Sequence, residues 1–408
     1  MRPFLIITLL LTVALAYYVY TPLPDALDEK WKLMSLDVVL RTTMHYAALK
    51  HWLGYDHYIH TIRNIAGSLD PPPDPDFLPG VKVRDETFAG VPVRVYEASG
   101  GEGSLRRGLM YFHGGGWALG SAKGSSYDRM SRILAHELNA VVVSVEYRLY
   151  PEVQFPVPYL DCLAATKHFL SSEVLSKYSV DPDRVGVSGD SAGGNLAAAV
   201  SQEISQGPDI SIKFSVQALI YPALQALDFN TPSDLQNHNI PVLPLDDLIK
   251  YWMQYLGIDL SLRDQVKLNR HSSLQQTHLT PELRARFDWK KLLSPKYHKN
   301  NKLVVAEKGL AGIIERVPAL LDVRASPLLA DTGVLSKCPK AYIMTCEFDV
   351  LRDDGFMYAR RLEEAGVQVT SVHYDDGFHG CFSFVSNLEF KVAQRAVRDY
   401  MSWLQENL

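Results

Sequence analysis

The stretch Gly189-Asp190-Ser191-Ala192-Gly193-Gly194 restricts this 408-residue chain more than any other. Residues 184–188 before it read as a short buried strand, and residues 195–200 after it as the start of a helix. A strand that passes into a helix through a single serine forces a strained backbone on that serine. Only small residues then fit two positions to either side. The strain lifts the hydroxyl above the sheet edge, where a base can reach it. In an open α/β sheet the carboxyl ends of the strands are where ligands and reactive groups collect.

The surrounding pattern predicts such a sheet. Two strand-like runs cover 81–88 and 93–97. From residue 107 strands and helices alternate: strand 107–112, helix 127–138, strand 140–145, helix 159–170, strand 184–188, helix 192–205. That rhythm implies an α/β fold with a mostly parallel central sheet and helices on both faces. It stops near Pro222 and resumes near Lys340 with strand 341–346, helix 356–365 and strand 368–374. The interval 223–339 is too long for a plain loop and predicts cap helices. Residues 31–65 also carry helical apolar spacing, and the prolines from Pro71 to Pro75 read as a linker. The expected organisation is a membrane helix over 1–22, a helical membrane-proximal cap segment over 23–75, and a catalytic domain over 76–408 with a cap insertion at 223–339.

A second motif adds chemistry. The strand at 107–112 runs into His113-Gly114-Gly115-Gly116-Trp117. Acyl transfer passes through an oxyanion that needs backbone N–H donors converging on one point, and side chains there would block the approach. Gly114, Gly115 and Ala192 are the expected donors. His113 reads as a residue that hydrogen-bonds the loop into shape rather than as a base. The serine also needs a base and an orienting acid, in the chain order Ser, Asp, His. Asp349 and His379 each sit just past the end of a strand and are the candidates. Asp353 and Asp354 read as charges at the start of the next helix, Asp375 and Asp376 as turn residues, and His373 as a structural strand residue.

Composition narrows the classes. The formal net charge of −5 offers no nucleic-acid surface. Four cysteines, Cys162, Cys338, Cys346 and Cys381, are too few for a disulfide scaffold and lack metal-ligand spacing, although one disulfide is open to them. The chemistry described calls for no metal and no cofactor. Residues 3–20 are nearly all apolar, about the length of one membrane-spanning helix. Ala14-Leu15-Ala16 resembles a signal-peptide cleavage site, but the apolar run continues into Tyr17, Tyr18 and Tyr20, which suit a membrane interface and favour a retained anchor. Arg2 precedes this segment, and Asp25, Asp28 and Glu29 follow it, which leaves the tail in the cytoplasm and the remainder in a lumen.

With these motifs the chain resembles the hormone-sensitive-lipase group of α/β-hydrolases, and within it the family of neutral cholesterol ester hydrolase and arylacetamide deacetylase. The shared stretches include 17–24, 113–117, 146–149, 188–198, 218–222, 225–233, 349–355 and 376–380. The resemblance implies an α/β-hydrolase fold and the triad Ser191, Asp349 and His379, in agreement with the reading of the residues. It also implies a single-pass endoplasmic-reticulum (microsomal) membrane protein with a lumenal catalytic domain. Lipophilic esters such as cholesteryl esters and acetylated ether lipids are the implied substrates, with aryl amides and acylglycerols as the alternative. A hydrolase fold that has lost catalysis and serves as a lipid receptor is the rival of another class. Three departures stand out. Tyr150 occupies a place where relatives carry alanine. Ala118 occupies the place of a cysteine in the deacetylase, so Cys346 lacks that partner. The chain also has no Asn-x-Ser/Thr sequon.

Overall fold

The computed structural model describes residues 2–99, 105–299, 301–303, 305–384 and 389–408. Eight strands form one sheet: β1 (Val81–Phe88), β2 (Val91–Ala98), β3 (Arg106–Phe112), β4 (Ala140–Val145), β5 (Val180–Asp190), β6 (Val216–Ile220), β7 (Lys340–Phe348) and β8 (Val369–Phe378). Their order is β1-β2-β4-β3-β5-β6-β7-β8. β1 pairs with β2, and β2 with β4, antiparallel; every later pairing is parallel. The sequence of β4, Ala-Val-Val-Val-Ser-Val, explains why its whole length is buried. Alternate residues point to opposite faces, and both faces are covered. Val141, Val143 and Val145 join one core with the Val157–Phe169, Ala192–Gln206 and Arg352–Glu364 helices. Ala140 and Val142 join the other with the Ser125–Leu138 and Lys391–Asn407 helices.

The helical spacing over 31–65 is carried by two helices, Lys30–Trp52 and Tyr58–Leu69. Gly54, at φ 76, ends the first, and the His57 ring caps the second by accepting from the Ile59 N–H. One expectation needs correction: Asp375 and Asp376, expected in a turn, lie instead in the end of β8. Phe378 pairs with Phe348 beyond a register irregularity, so the strand carries the chain to residue 378.

The N-terminal segment forms the Arg2–Val19 helix; residue 1 lies outside the described residues. Its apolar side chains from Phe4 to Leu15 are exposed. At about 1.5 Å per residue it extends roughly 27 Å, against a hydrocarbon core of about 30 Å. No helix among the described residues is long and apolar enough to cross a membrane. Its end is clipped to the Lys30–Trp52 helix: Arg41 donates to the Tyr18 carbonyl at 2.8 Å and lies over the Tyr18 ring.

Between β6 and β7 the chain forms short helices, of which Leu245–Leu256 is the longest. Trp252, Met253 and Tyr255 bury its inner face, and Trp117 stacks on Tyr255 at 4.2 Å between ring centroids. This insertion is therefore packed directly onto the loop that follows β3.

Candidate active site

Ser191 sits between the last residue of β5 and the first of the Ala192–Gln206 helix, with φ 55 and ψ −119. Its N–H donates to the Ile220 carbonyl on β6 at 2.9 Å, which pins the strained turn to the sheet. The two flanking glycines are required by contact. A Cβ on Gly189 would meet the Gly193 backbone, and a Cβ on Gly193 would meet the Phe112 carbonyl. The spacing of the motif thus records a close approach between the end of β3 and the start of the helix.

Three side chains from three distant stretches converge here. Ser191 Oγ lies 3.0 Å from His379 Nε2, and His379 Nδ1 lies 2.8 Å from Asp349 Oδ2. With Nδ1–H donating to the carboxylate, Nε2 is the acceptor that faces the serine. Asp349 is 1% exposed and His379 7%. The other oxygen of Asp349 accepts from the Leu351 N–H at 2.8 Å. Asn237 on the insertion donates to the Glu347 and Asp349 carbonyls at 2.9 and 3.1 Å and braces that loop. The geometry supports proton transfer from a serine hydroxyl to a histidine held by a buried carboxylate.

The glycine loop corrects one expectation. The Gly114 N–H is already committed, at 2.9 Å to Tyr127 Oη and 3.0 Å to Asp190 Oδ1. A Cβ on Gly114 would lie 2.5 Å from Asp190 Oδ2, so its small size serves that contact. Gly115 and Gly116, at φ 109 and 61, line the cavity above Ser191 together with Ala192, whereas Gly114 does not. Among the described residues no hydrogen bond engages the N–H of Gly115, Gly116 or Ala192. Gly116, and not Gly114, therefore combines an uncommitted N–H with a place in the cavity lining. His113 is buried; its ring donates through Nδ1 to the Gly114 carbonyl at 2.8 Å and stacks on Tyr147. Burial lowers its pKa.

Asp190, beside the serine, was not singled out by the motif. It is buried, which pushes its pKa up against the hydrogen bonds from Tyr127, Tyr111 and the Gly114 N–H. It ties β3, β5 and the glycine loop together. Its only sequence signal is an acid between two small residues, and its tyrosine partners are far away in the chain.

The cavity holds about 260 Å³. Ser191 and His379 form its floor. Leu40, Met44 and Ile62 reach it from the N-terminal helices, and Leu243, Leu248 and Tyr251 from the insertion. The walls are apolar, which suits a hydrophobic ligand presented to one reactive edge.

Residues 109–283 and 311–383 match the family described as alpha/beta hydrolase fold. The chain is 48% identical to neutral cholesterol ester hydrolase 1 of Mus musculus across the full length of both. It is 45% identical to arylacetamide deacetylase of Mus musculus, covering 98% of this chain and 99% of that one. This chain belongs to the α/β-hydrolase family that includes those two enzymes. Among solved structures, a thermostable esterase from Pseudomonas putida superposes with a TM-score of 0.63 at 25% identity, covering 86% of this chain and 90% of that one. A fungal esterase from Rhizomucor miehei matches with a TM-score of 0.64 at 26% identity, with the same two coverages. The protein is a carboxylic ester hydrolase.

In this hydrolase the acids near Asp349 do more than charge a helix end. Asp353 accepts from the Ser233 N–H at 2.7 Å and pairs with buried Arg352. Asp354 accepts from the Leu224 N–H at 2.8 Å and from Gln225 Nε2 at 3.0 Å. Both therefore fasten the start of the insertion to the catalytic loop. Asp376 pairs with Arg395. His373 lies in β8 as expected and meets Thr345 and Glu347. Glu347, His373 and Asp375 bring their polar atoms within 4.8 Å of one another, but Arg352 already pairs with Glu347, and the group forms an ion-pair network.

Burial pushes Asp354 up to about 7. The folded hydrolase then keeps a proton that the unfolded chain releases near pH 4. Between those two values the folded state binds more protons, so this group makes stability fall as pH rises from about 4 through 7. Asp354→Asn is expected to flatten that part of the stability curve. Urea unfolding at pH 5 and pH 8 measures it, and a slope equal to the native one assigns the effect to another carboxylate.

Proposed function

We propose that the hydrolase acts on lipophilic esters, such as cholesteryl esters and acetylated ether lipids, through an acyl-enzyme on Ser191. The observation that carries this reading is the Ser191–His379–Asp349 chain of contacts on the floor of an apolar cavity. Ser191 Oγ attacks the acyl carbonyl while His379 Nε2 takes its proton. Asp349 holds His379 in the tautomer that leaves Nε2 free and stabilises the imidazolium. The N–H groups of Gly115, Gly116 and Ala192 bind the oxyanion. The imidazolium then protonates the departing alcohol. Water, deprotonated by the same histidine, attacks the acyl-enzyme, and the acid leaves as Ser191 regains its proton.

The substrate class follows from the named activity of a relative that matches the chain end to end, neutral cholesterol ester hydrolase 1, together with the apolar walls. The slightly lower identity to arylacetamide deacetylase keeps aryl amides as the second reading. A panel of cholesteryl oleate, an acetylated ether lipid and phenacetin-type amides on purified protein separates them. Preference for the amides by kcat/KM would transfer the chain to the deacetylase reading, and no turnover with any of them would favour a lipid receptor.

The Arg2–Val19 helix is read as an anchor for the endoplasmic-reticulum membrane, with residues 1–22 as the membrane segment and the catalytic part in the lumen. Its exposed apolar surface and the charges that flank it support this reading. The protein is expected to stay in the membrane pellet through carbonate washing, with its N-terminal peptide present in the mature chain. A mature N-terminus at Tyr17 would show cleavage instead.

A further inference from the structure

A second cavity of about 290 Å³ adjoins the one above Ser191. It is lined by Tyr20, Thr21 and Pro22, directly after the Arg2–Val19 helix, and by the exposed Asn239. Leu40, Met44 and Val242 line both cavities and so form the partition between them.

Val242 is held at φ 79. A β-branched residue enters that region only when its surroundings impose it, and such strain gathers at functional sites. Two ties hold the backbone there. Asn237 is bonded to the carbonyls of Glu347 and Asp349, and the Leu245 N–H donates to the His238 carbonyl at 3.0 Å. The Val242 side chain is thereby set against the base: its Cγ1 is 3.3 Å from where a Cβ on Gly380 would stand, one residue past His379.

We infer that the outer cavity is a second subsite, taking the long lipophilic alcohol portion of an ester, and that Val242, with Leu40 and Met44, is the partition this portion displaces. The inference rests on the ester-hydrolase mechanism at Ser191. Three points carry it. The catalytic cavity, at about 260 Å³, stands at the small end of the roughly 300–1,000 Å³ of ligand sites, and the adjoining cavity adds about 290 Å³. His379 protonates the departing alcohol, so the alcohol lies on the histidine side, which is where Val242 stands. Asp37 in the outer wall accepts from Arg41 at 2.8 Å and from Thr21 at 2.7 Å, so an apolar chain passing that pair strands no charge. The wall's other carboxylate, Asp247, is half-buried, and its desolvation pushes its pKa up, toward the uncharged form.

The test compares hexadecyl acetate with butyl acetate, both in detergent micelles, by acid release. The acyl-enzyme is the same for both, the two alcohols are equally basic, and micellar partitioning is the same for every variant, so a change in the ratio of their kcat/KM values from the native ratio reports how the alcohol is housed. Val242→Gly suits the positive φ and removes the partition side chain; the hexadecyl-to-butyl ratio is expected to rise at least threefold. Asn239→Trp fills the outer cavity from an exposed position; the ratio is expected to fall at least tenfold. A smaller shift in either variant, or one of opposite sign, overturns the subsite. If circular dichroism shows Asn239→Trp unfolded, the Val242→Gly ratio decides alone. Ser191→Ala is run beside them. If it hydrolyses butyl acetate within tenfold of the native rate, the mechanism at Ser191 has failed; unmoved ratios with a Ser191→Ala rate reduced to its small residue reject the subsite only.

Discussion

Ser191→Ala is expected to lower kcat for p-nitrophenyl butyrate by a factor on the order of 10⁶, roughly 8 kcal/mol of transition-state stabilisation. The oxyanion donors and the cavity remain and sustain a small residual rate over water. The fold should be untouched, because the backbone ties of residue 191, to the Ile220 carbonyl and from the Asn195 N–H, do not involve the hydroxyl. Alanine also bears the φ of 55 at much the same cost as serine. Steady-state kinetics and the thermal unfolding midpoint measured on one preparation separate the two effects. Turnover within tenfold of native would place the nucleophile elsewhere, and the reading of the site would fall.

Asp349→Asn is expected to cost about 10⁴ in kcat, and Asp353→Asn no more than about tenfold. The difference lies in what each carboxylate holds. In Asp349→Asn the Leu351 N–H keeps the amide oxygen, which leaves the amide NH₂ facing His379 Nδ1. Nδ1 must then accept, the proton moves to Nε2, and the ring no longer accepts from Ser191. Asp353 touches Ser233 and Arg352, one step removed from the histidine. Its loss loosens the insertion without changing the tautomer. Rates for both variants, compared at one pH, decide the matter; the opposite ranking would make Asp353 the orienting acid.

Much of this was legible in the chain because the decisive constraints are local. A serine at a strand–helix turn requires Gly189 and Gly193, and uncovered N–H groups require a glycine run after β3; both appear as short motifs. The run of valines in β4 announces a strand buried on both faces. Other features are invisible locally. Which two of three consecutive glycines keep uncommitted N–H groups depends on Asp190 and Tyr127 capturing Gly114, an arrangement between residues distant in the chain. The end of β8 reads as a turn in the sequence because Asp375, Asp376 and Gly377 carry turn chemistry, whereas pairing with β7 overrides it.

By itself the sequence determined the sheet rhythm, the serine at its strained turn, and the short set of acids and histidines beyond β7 from which the site is drawn. These follow from steric and hydrogen-bonding rules that act within a few residues. Only the tertiary structure decided that the Gly114 N–H is engaged while that of Gly116 is not, that Asp353 and Asp354 clasp the insertion, and that a strained Val242 stands between two cavities. Each of these depends on groups far apart in the chain meeting within hydrogen-bond or van der Waals reach. Packing of the whole fold sets such distances, and no local pattern encodes them.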